Sequence, residues 1–139
     1  LGPNRPAILT PRPIAISMAN GRGFAFLYIL KCMKVKLVTF VPTTHANAVR
    51  DALGSAGAGH IGEYSYCSFT SMGKGRFVPS ESAQPHIGTP GIPEIVEEER
   101  IEVVCDRTDA KAVIAAMRQA HPYEEVAFDI YPLLDESEL

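Results

Sequence analysis

An internal repeat constrains this chain more than any other feature. Ala48-Val49-Arg50-Asp51-Ala52-Leu53 matches Ala112-Val113-Ile114-Ala115-Ala116-Met117 at an offset of 64 residues, and the same offset sets Val38 and Phe40 against Glu102 and Val104. Each helical stretch is preceded and followed by a strand pattern. Val35 to Val41 is a β-branched, apolar run closed by Pro42. Thr43 or Thr44 is a candidate cap for a helix striped by Val49, Ala52, Leu53 and Ala56 and stopped at Gly57. Ile61 to Thr70 reads as the second strand and Glu99 to Cys105 as the third. Asp106 or Thr108 caps a second helix with the stripe Ala112, Val113, Ala116, Met117 and Ala120, which Pro122 keeps from continuing. Val126 to Tyr131 is the fourth strand, and Asp135 to Leu139 an acidic, frayed tail.

Two strand-helix-strand halves in tandem predict an α+β, ferredoxin-like βαββαβ sandwich: an antiparallel sheet with two helices on one face. Right-handed crossovers put the first and third strands in the centre and the second and fourth at the edges. The uncovered sheet face is expected to be apolar, which predicts an oligomer.

Between the second and third strands lie Ser71 to Glu98, without periodicity, a length that points to a functional loop. Its first part, Met72 to Phe77, is able to extend the second strand into a hairpin. Its second part is punctuated by Pro85, Gly88, Pro90, Gly91 and Pro93.

Residues 1–32 read differently. They hold four prolines between Pro3 and Pro13, and they carry Arg5, Arg12, Arg22 and Lys31 with no acid. Phe24 to Leu30, at seven residues the longest apolar run, is far short of the ~20 needed to span a bilayer and too late and short for a secretory leader. Because Met33 would open directly into the first strand, residues 1–32 are read as a non-conforming extension, a start-site or cloning artefact. The module proper is taken as 33–134. All 16 acids lie after residue 32 against 9 bases, so no basic stripe suited to nucleic acid runs through the module. Cys32, Cys67 and Cys105 are too few and scattered for a disulfide framework or a zinc ribbon. Free thiols fit a reducing, cytoplasmic compartment.

Several motifs in order resemble a known family. Gly57-Ala58-Gly59-His60-Ile61-Gly62-Glu63-Tyr64-Ser65, Cys67-Ser68-Phe69, Gly75-Arg76-Phe77-Val78-Pro79 and Gln84-Pro85-His86-Ile87-Gly88 look like the small inserted module of the Nif-three-like (NGG-interacting factor) family. His121-Pro122-Tyr123-Glu124-Glu125 and Asp129-Ile130-Tyr131-Pro132 fit it too, and His121 to Glu124 is similar to a stretch of CutA-type proteins. The resemblance runs from about Lys34 to Leu133. It implies a PII-like/CutA-like module, a group that typically forms trimers. Full-length members carry a larger body with a two-metal site, to which names such as GTP cyclohydrolase type 2 homologue belong; that body is not found in this sequence.

The resemblance implies a homotrimer that binds a small ligand or a divalent metal ion, regulatory and non-catalytic; run length and charge argue for no membrane or nucleic-acid partner. The alternatives are a metal-dependent hydrolase and a pure interaction scaffold. Candidate ligand contacts are His60 with Gly59 and Gly62, Lys74 and Arg76 as an anion-holding pair, and Tyr123. Candidate metal ligands are His121, where the helix end favours the protonated ring, with Glu124 and Glu125 close enough to pair with it. His86 is a weaker candidate. His60 and His121 begin opposite edge strands, ~14 Å apart across three strand spacings, so any joint site would be intersubunit. Cys67 and Cys105 are read as small core residues.

Overall fold

The computed structural model describes residues 33–139, so the N-terminal extension lies outside the described residues. In chain order the elements are β1 (Lys34–Pro42), a 3-10 turn (Thr43–His45), α1 (Ala46–Ser55), β2 (Phe69–Phe77), β3 (Glu94–Asp106), α2 (Ala110–Ala120), β4 (Phe128–Pro132) and a final 3-10 turn (Glu136–Glu138). The four strands make one antiparallel sheet in the order β2-β3-β1-β4, the topology that the repeat and the crossover rule predict.

One face of the sheet carries Val35, Leu37 and Val41 from β1 and Ile101, Val103 and Cys105 from β3. They bury against Ala46, Val49 and Leu53 of α1 and Val113 and Met117 of α2. The stripes read from the sequence are therefore the faces that pack, and α1 and α2 also lean on each other. Thr39 is fully buried on the same face, and its hydroxyl donates to the Ala127 carbonyl at 3.1 Å. This bond holds the approach to β4 against β1.

The helix ends are built differently from the expectation. Neither Thr43 nor Thr44 caps α1; its N-cap is His45, and Thr44 Oγ1 bonds the His45 ring at 2.9 Å. The N-cap of α2 is Asp109, also without a side-chain cap bond. The C-terminus of α1 closes as Gly57 requires. At φ +99 it lets Ala58 N–H donate to Leu53 O and its own N–H to Gly54 O, the paired bonds of a Schellman turn.

The second strand starts eight residues later than the sequence pattern predicts. Gly59, Gly62 and Tyr66 all take positive φ, which an extended strand does not tolerate. Gly59 N–H donates to Val104 O at 2.8 Å, and Cys67 N–H returns to Gly59 O at 2.9 Å, so residues 59–67 form a knot beside β3. β2 then runs through Gly73 and Gly75, with Phe69↔Glu102 at one end and Phe77↔Glu94 at the other. The long loop contracts to residues 78–93. β1 pairs with β3 only as far as Pro42↔Glu98, so Glu94 to Glu97 and the matching part of β2 project as a two-stranded ribbon.

The open face is mixed rather than wholly apolar. Alternation along the paired strands puts Lys36, Arg100, Glu102 and Asp129 there beside Val38, Phe40, Val104, Phe69 and Tyr131. Lys36 and Arg100 both pair with Glu102, at 3.0 and 3.1 Å. The Lys36 ammonium, then Arg100, hold the Glu102 carboxyl below the usual carboxylate range. Apolar side chains are exposed on the two edge strands and the loops beside them: Ile61, Tyr64, Tyr66, Phe69 and Met72 near β2, and Ile130, Tyr131 and Leu134 near β4. Among the described residues no helix is long and apolar enough to cross a membrane.

Candidate functional site

Where β1 ends, the segment 121–127 crosses toward the projecting ribbon, and the loop 78–93 folds back to meet it. Together they line an open cavity of about 740 Å³. Lys74 and Arg76 of β2 and Tyr123, Glu124 and Glu125 of the α2–β4 segment all line it. The structure thus brings together five of the nine candidate residues, contributed by two distant parts of the chain. His86, the weaker candidate, joins them.

The site is organised around Tyr123. Its hydroxyl donates to Glu98 Oε1 at 2.9 Å, and the Glu98 side chain lies in a residue only 8% exposed. Burial, reinforced by the carboxylate it faces, raises the Tyr123 hydroxyl well above the ordinary tyrosine range, so it stays a donor at any physiological pH. The Tyr123 ring packs within 6.2 Å of Phe77, 6.4 Å of His86 and 5.0 Å of His121, measured between centroids. Gly75 makes the arrangement possible: a Cβ there would lie 2.2 Å from Glu98 Oε2. The glycine is needed so that the carboxylate can lie across the strand.

His121 supports this tyrosine from behind. It is 6% exposed, accepts the Tyr123 backbone N–H on Nδ1 at 3.1 Å, and therefore carries its proton on Nε2, which donates to Phe40 O at 2.8 Å. Burial lowers its pKa, outweighing the Phe40 bond and the charge of Glu98. The ring is neutral, opposite to the helix-dipole expectation, because desolvation exceeds the dipole's pull. Both nitrogens are occupied, and among the described residues no three His, Cys, Asp or Glu side chains converge as a metal site. The expected half-site of His121, Glu124 and Glu125 is not assembled: Glu124 accepts instead from Gln84 N–H at 3.0 Å, pinning the 78–93 loop, and Glu125 is exposed.

The other candidates lie elsewhere. Gly59 is buried in the knot beside Val104, Gly62 turns at φ +57 with open space around it, and His60 between them is exposed. A separate hollow of about 230 Å³ is lined by Gly59, Ile61, Cys67 and Phe69. Gly59 is tied to Val104 and His121 to Phe40, the partner of Arg100, so the two histidines sit four residues apart along β3, ~13 Å in that direction alone. Cys105 is a core residue, and burial raises its thiol; Cys67 is half-buried at the hollow.

Sequence reasoning missed Phe40, Phe77, Glu98 and Arg100, all of which line the cavity. It also missed His45, whose ring meets that of His86 edge-on at 5.2 Å. Only the strand register, Phe40↔Arg100 and Gly73↔Glu98, reveals that these residues share a wall.

No family model matches the chain. Curated relatives do: it is 55% identical over 103 residues to the GTP cyclohydrolase 1 type 2 homolog of Halalkalibacterium halodurans, covering 74% of this chain and 28% of that protein. It is also 55% identical over 98 residues to the Bacillus subtilis protein of the same name, covering 70% and 26%. Among solved structures, a Bacillus cereus protein related to NIF3 matches at 53% identity and a TM-score of 0.65, over 74% of this chain and 26% of that one. CutA1 from Shewanella sp. SIB1 matches in fold alone, at 17% identity and a TM-score of 0.55, over 73% of this chain and 82% of that one. The chain spans about a quarter of the length of the curated relatives. Over the matched residues, with its ferredoxin-like, CutA-like fold, it is a homologue of the NIF3-like proteins.

Proposed function

We propose that this chain is a PII-like, CutA-like module that binds a small ligand in the cavity between the β2–β3 ribbon, the 78–93 loop and the Tyr123 segment, and regulates without catalysing a reaction itself. The observation that carries the reading is that Lys74, Arg76, Tyr123, Glu124 and Glu125 line one open cavity of ligand size. Aromatic and aliphatic walls with a few placed polar groups are what a small-molecule site requires. A hydrolytic role would need an activated water or nucleophile, and the one buried acid lining the cavity, Glu98, is occupied by Tyr123.

Assembly as a homotrimer is part of the proposal. It is supported by the exposed apolar side chains along both sheet edges, Phe69 and Met72 on one and Ile130 and Tyr131 on the other.

Native mass spectrometry of protein purified without chelator tests both parts. A trimer carrying extra mass that disappears in the Tyr123→Ala variant is the expected result. A monomer overturns the assembly. Turnover of GTP by this chain with added divalent metal overturns the non-catalytic reading.

A further inference from the structure

Charge is balanced unevenly along β3. Glu97 pairs with Lys74, Glu99 with Arg50, Glu102 with Lys36 and Arg100, and Asp106 with Lys34. Glu98 alone of this run has no ion-pair partner among the described residues, and it is the buried one, at 8% exposed. Its Oε1 takes the Tyr123 hydroxyl, but no donor among the described residues reaches Oε2. Among those residues the one side-chain polar atom both sealed from solvent and unpartnered is Arg100 Nε. Glu98 Oε2 is therefore not sealed, and Glu98 lines the cavity.

The neighbouring groups leave this charge uncompensated. His121 is neutral and gives its Nε2 proton to Phe40 O. Arg100, two residues along the same face, turns Nη2 to Glu102 at 3.1 Å. Lys74 and Arg76 alternate onto the opposite face of β2 and meet the cavity only at its edge. Glu124 and Glu125, on the Tyr123 segment, add negative charge to the lining. A mostly buried carboxylate without a counter-ion is costly, and a bound cation removes that cost. The rings of Phe40, Phe77, His86 and Tyr123 line the same space, and aromatic faces attract a cation. Resting on the ligand-binding reading above, we infer that the ligand is an amphipathic organic cation: an ammonium group that donates to Glu98 Oε2, carried on an aromatic or aliphatic body held between Phe40, Phe77 and Tyr123.

Probes of similar shape and different charge test this. Calorimetric titration of the full chain at neutral pH uses 2-naphthylmethylamine, a cation there, and the uncharged 2-naphthylmethanol. Both are expected to occupy one site per chain, the amine about tenfold more tightly, the difference between a charged and a neutral hydrogen bond. The anion 2-naphthoate is expected to bind more weakly than the alcohol. Glu98→Gln is expected to abolish the amine's preference while leaving the alcohol's affinity unchanged. Glu125→Gln, a change at an exposed residue that does not endanger folding, is expected to keep most of it. Equal affinity for amine and alcohol in the unsubstituted chain, or tighter binding of the naphthoate, overturns the cation assignment and leaves the cavity as a ligand site. A preference that survives in Glu98→Gln, shown folded by circular dichroism, overturns the role of Glu98. Saturable binding of none of the probes overturns the cavity reading, and the cation assignment falls with it.

Discussion

Replacing Tyr123 with phenylalanine removes one oxygen and leaves the aromatic packing against Phe77 and His121 in place. The oxygen donates at 2.9 Å to Glu98, whose residue is 8% exposed. Hydrogen bonds to charged groups contribute about 1.5–3 kcal/mol net, and the loss leaves a buried carboxylate short of a donor. At about 4 °C per kcal/mol for a folded unit of this size, the melting temperature of Tyr123→Phe should fall by roughly 6–12 °C. Urea unfolding followed by circular dichroism should show the same loss as a shift in midpoint at constant slope. The same change made in a Glu98→Gln background should cost about 1 kcal/mol less, since the partner is then uncharged. If Tyr123→Phe costs under about 0.5 kcal/mol in both backgrounds, the hydroxyl is solvated and Tyr123 is not the organising residue of the cavity.

Further outcomes follow from other contacts. Gly59→Ala meets the Cys67 carbonyl at 2.4 Å at a φ of +79, whereas Gly57→Ala at φ +99 meets nothing. Gly57→Ala should cost about 1–2 kcal/mol from backbone strain and Gly59→Ala clearly more, both read from denaturant midpoints. His121 is held below its ordinary pKa of 6.5, so its ring takes up a proton more readily in the unfolded chain than in the folded one. Its contribution is complete above pH 6.5 and is lost as pH falls toward the lowered native value; that slope of stability against pH should flatten in His121→Gln. Gly75→Ala drives a methyl into the Glu98 carboxylate and should weaken probe binding more than it weakens the fold, comparing titration with melting. The Cys105 thiol, buried and raised, should react with a thiol reagent far more slowly than Cys67 in the native protein and as fast once unfolded.

The sheet topology and both helices were legible because they rest on periodicity and a repeat, and burying Val49, Leu53, Val113 and Met117 demands little else. The second strand was not. The aromatic run from Ile61 to Thr70 has strand composition, but Gly59, Gly62 and Tyr66 turn it into a knot. The real strand passes through Gly73-Lys74-Gly75, in the stretch Met72 to Phe77 that the sequence suggests only as an extension of it into a hairpin. Those glycines are there for the neighbour: Gly75 leaves the space Glu98 fills. In the same way, the stretch from Glu94 to Glu99 has the acidic composition of a solvated face, while pairing with β2 buries Val96 and Glu98. Lys74, Arg76, Tyr123, Glu124 and Glu125 could be proposed from motif resemblance. Phe40 and Arg100 could not, because their relation to the cavity exists only across strands.

The unequal lengths of β1 and β3 divide the strand into two mechanical regimes. From Glu98 to Glu102, β3 is hydrogen-bonded to β1 on one side and β2 on the other, but from Glu94 to Glu97 only β2 holds it. Amide exchange should therefore be slow in the first stretch, at the rate of global opening, and fast in the second, where opening the ribbon uncovers little of the core. The cavity straddles that boundary, one wall fixed and the other able to fray. A molecule that fills it is positioned to make the ribbon exchange with the core as one cooperative unit.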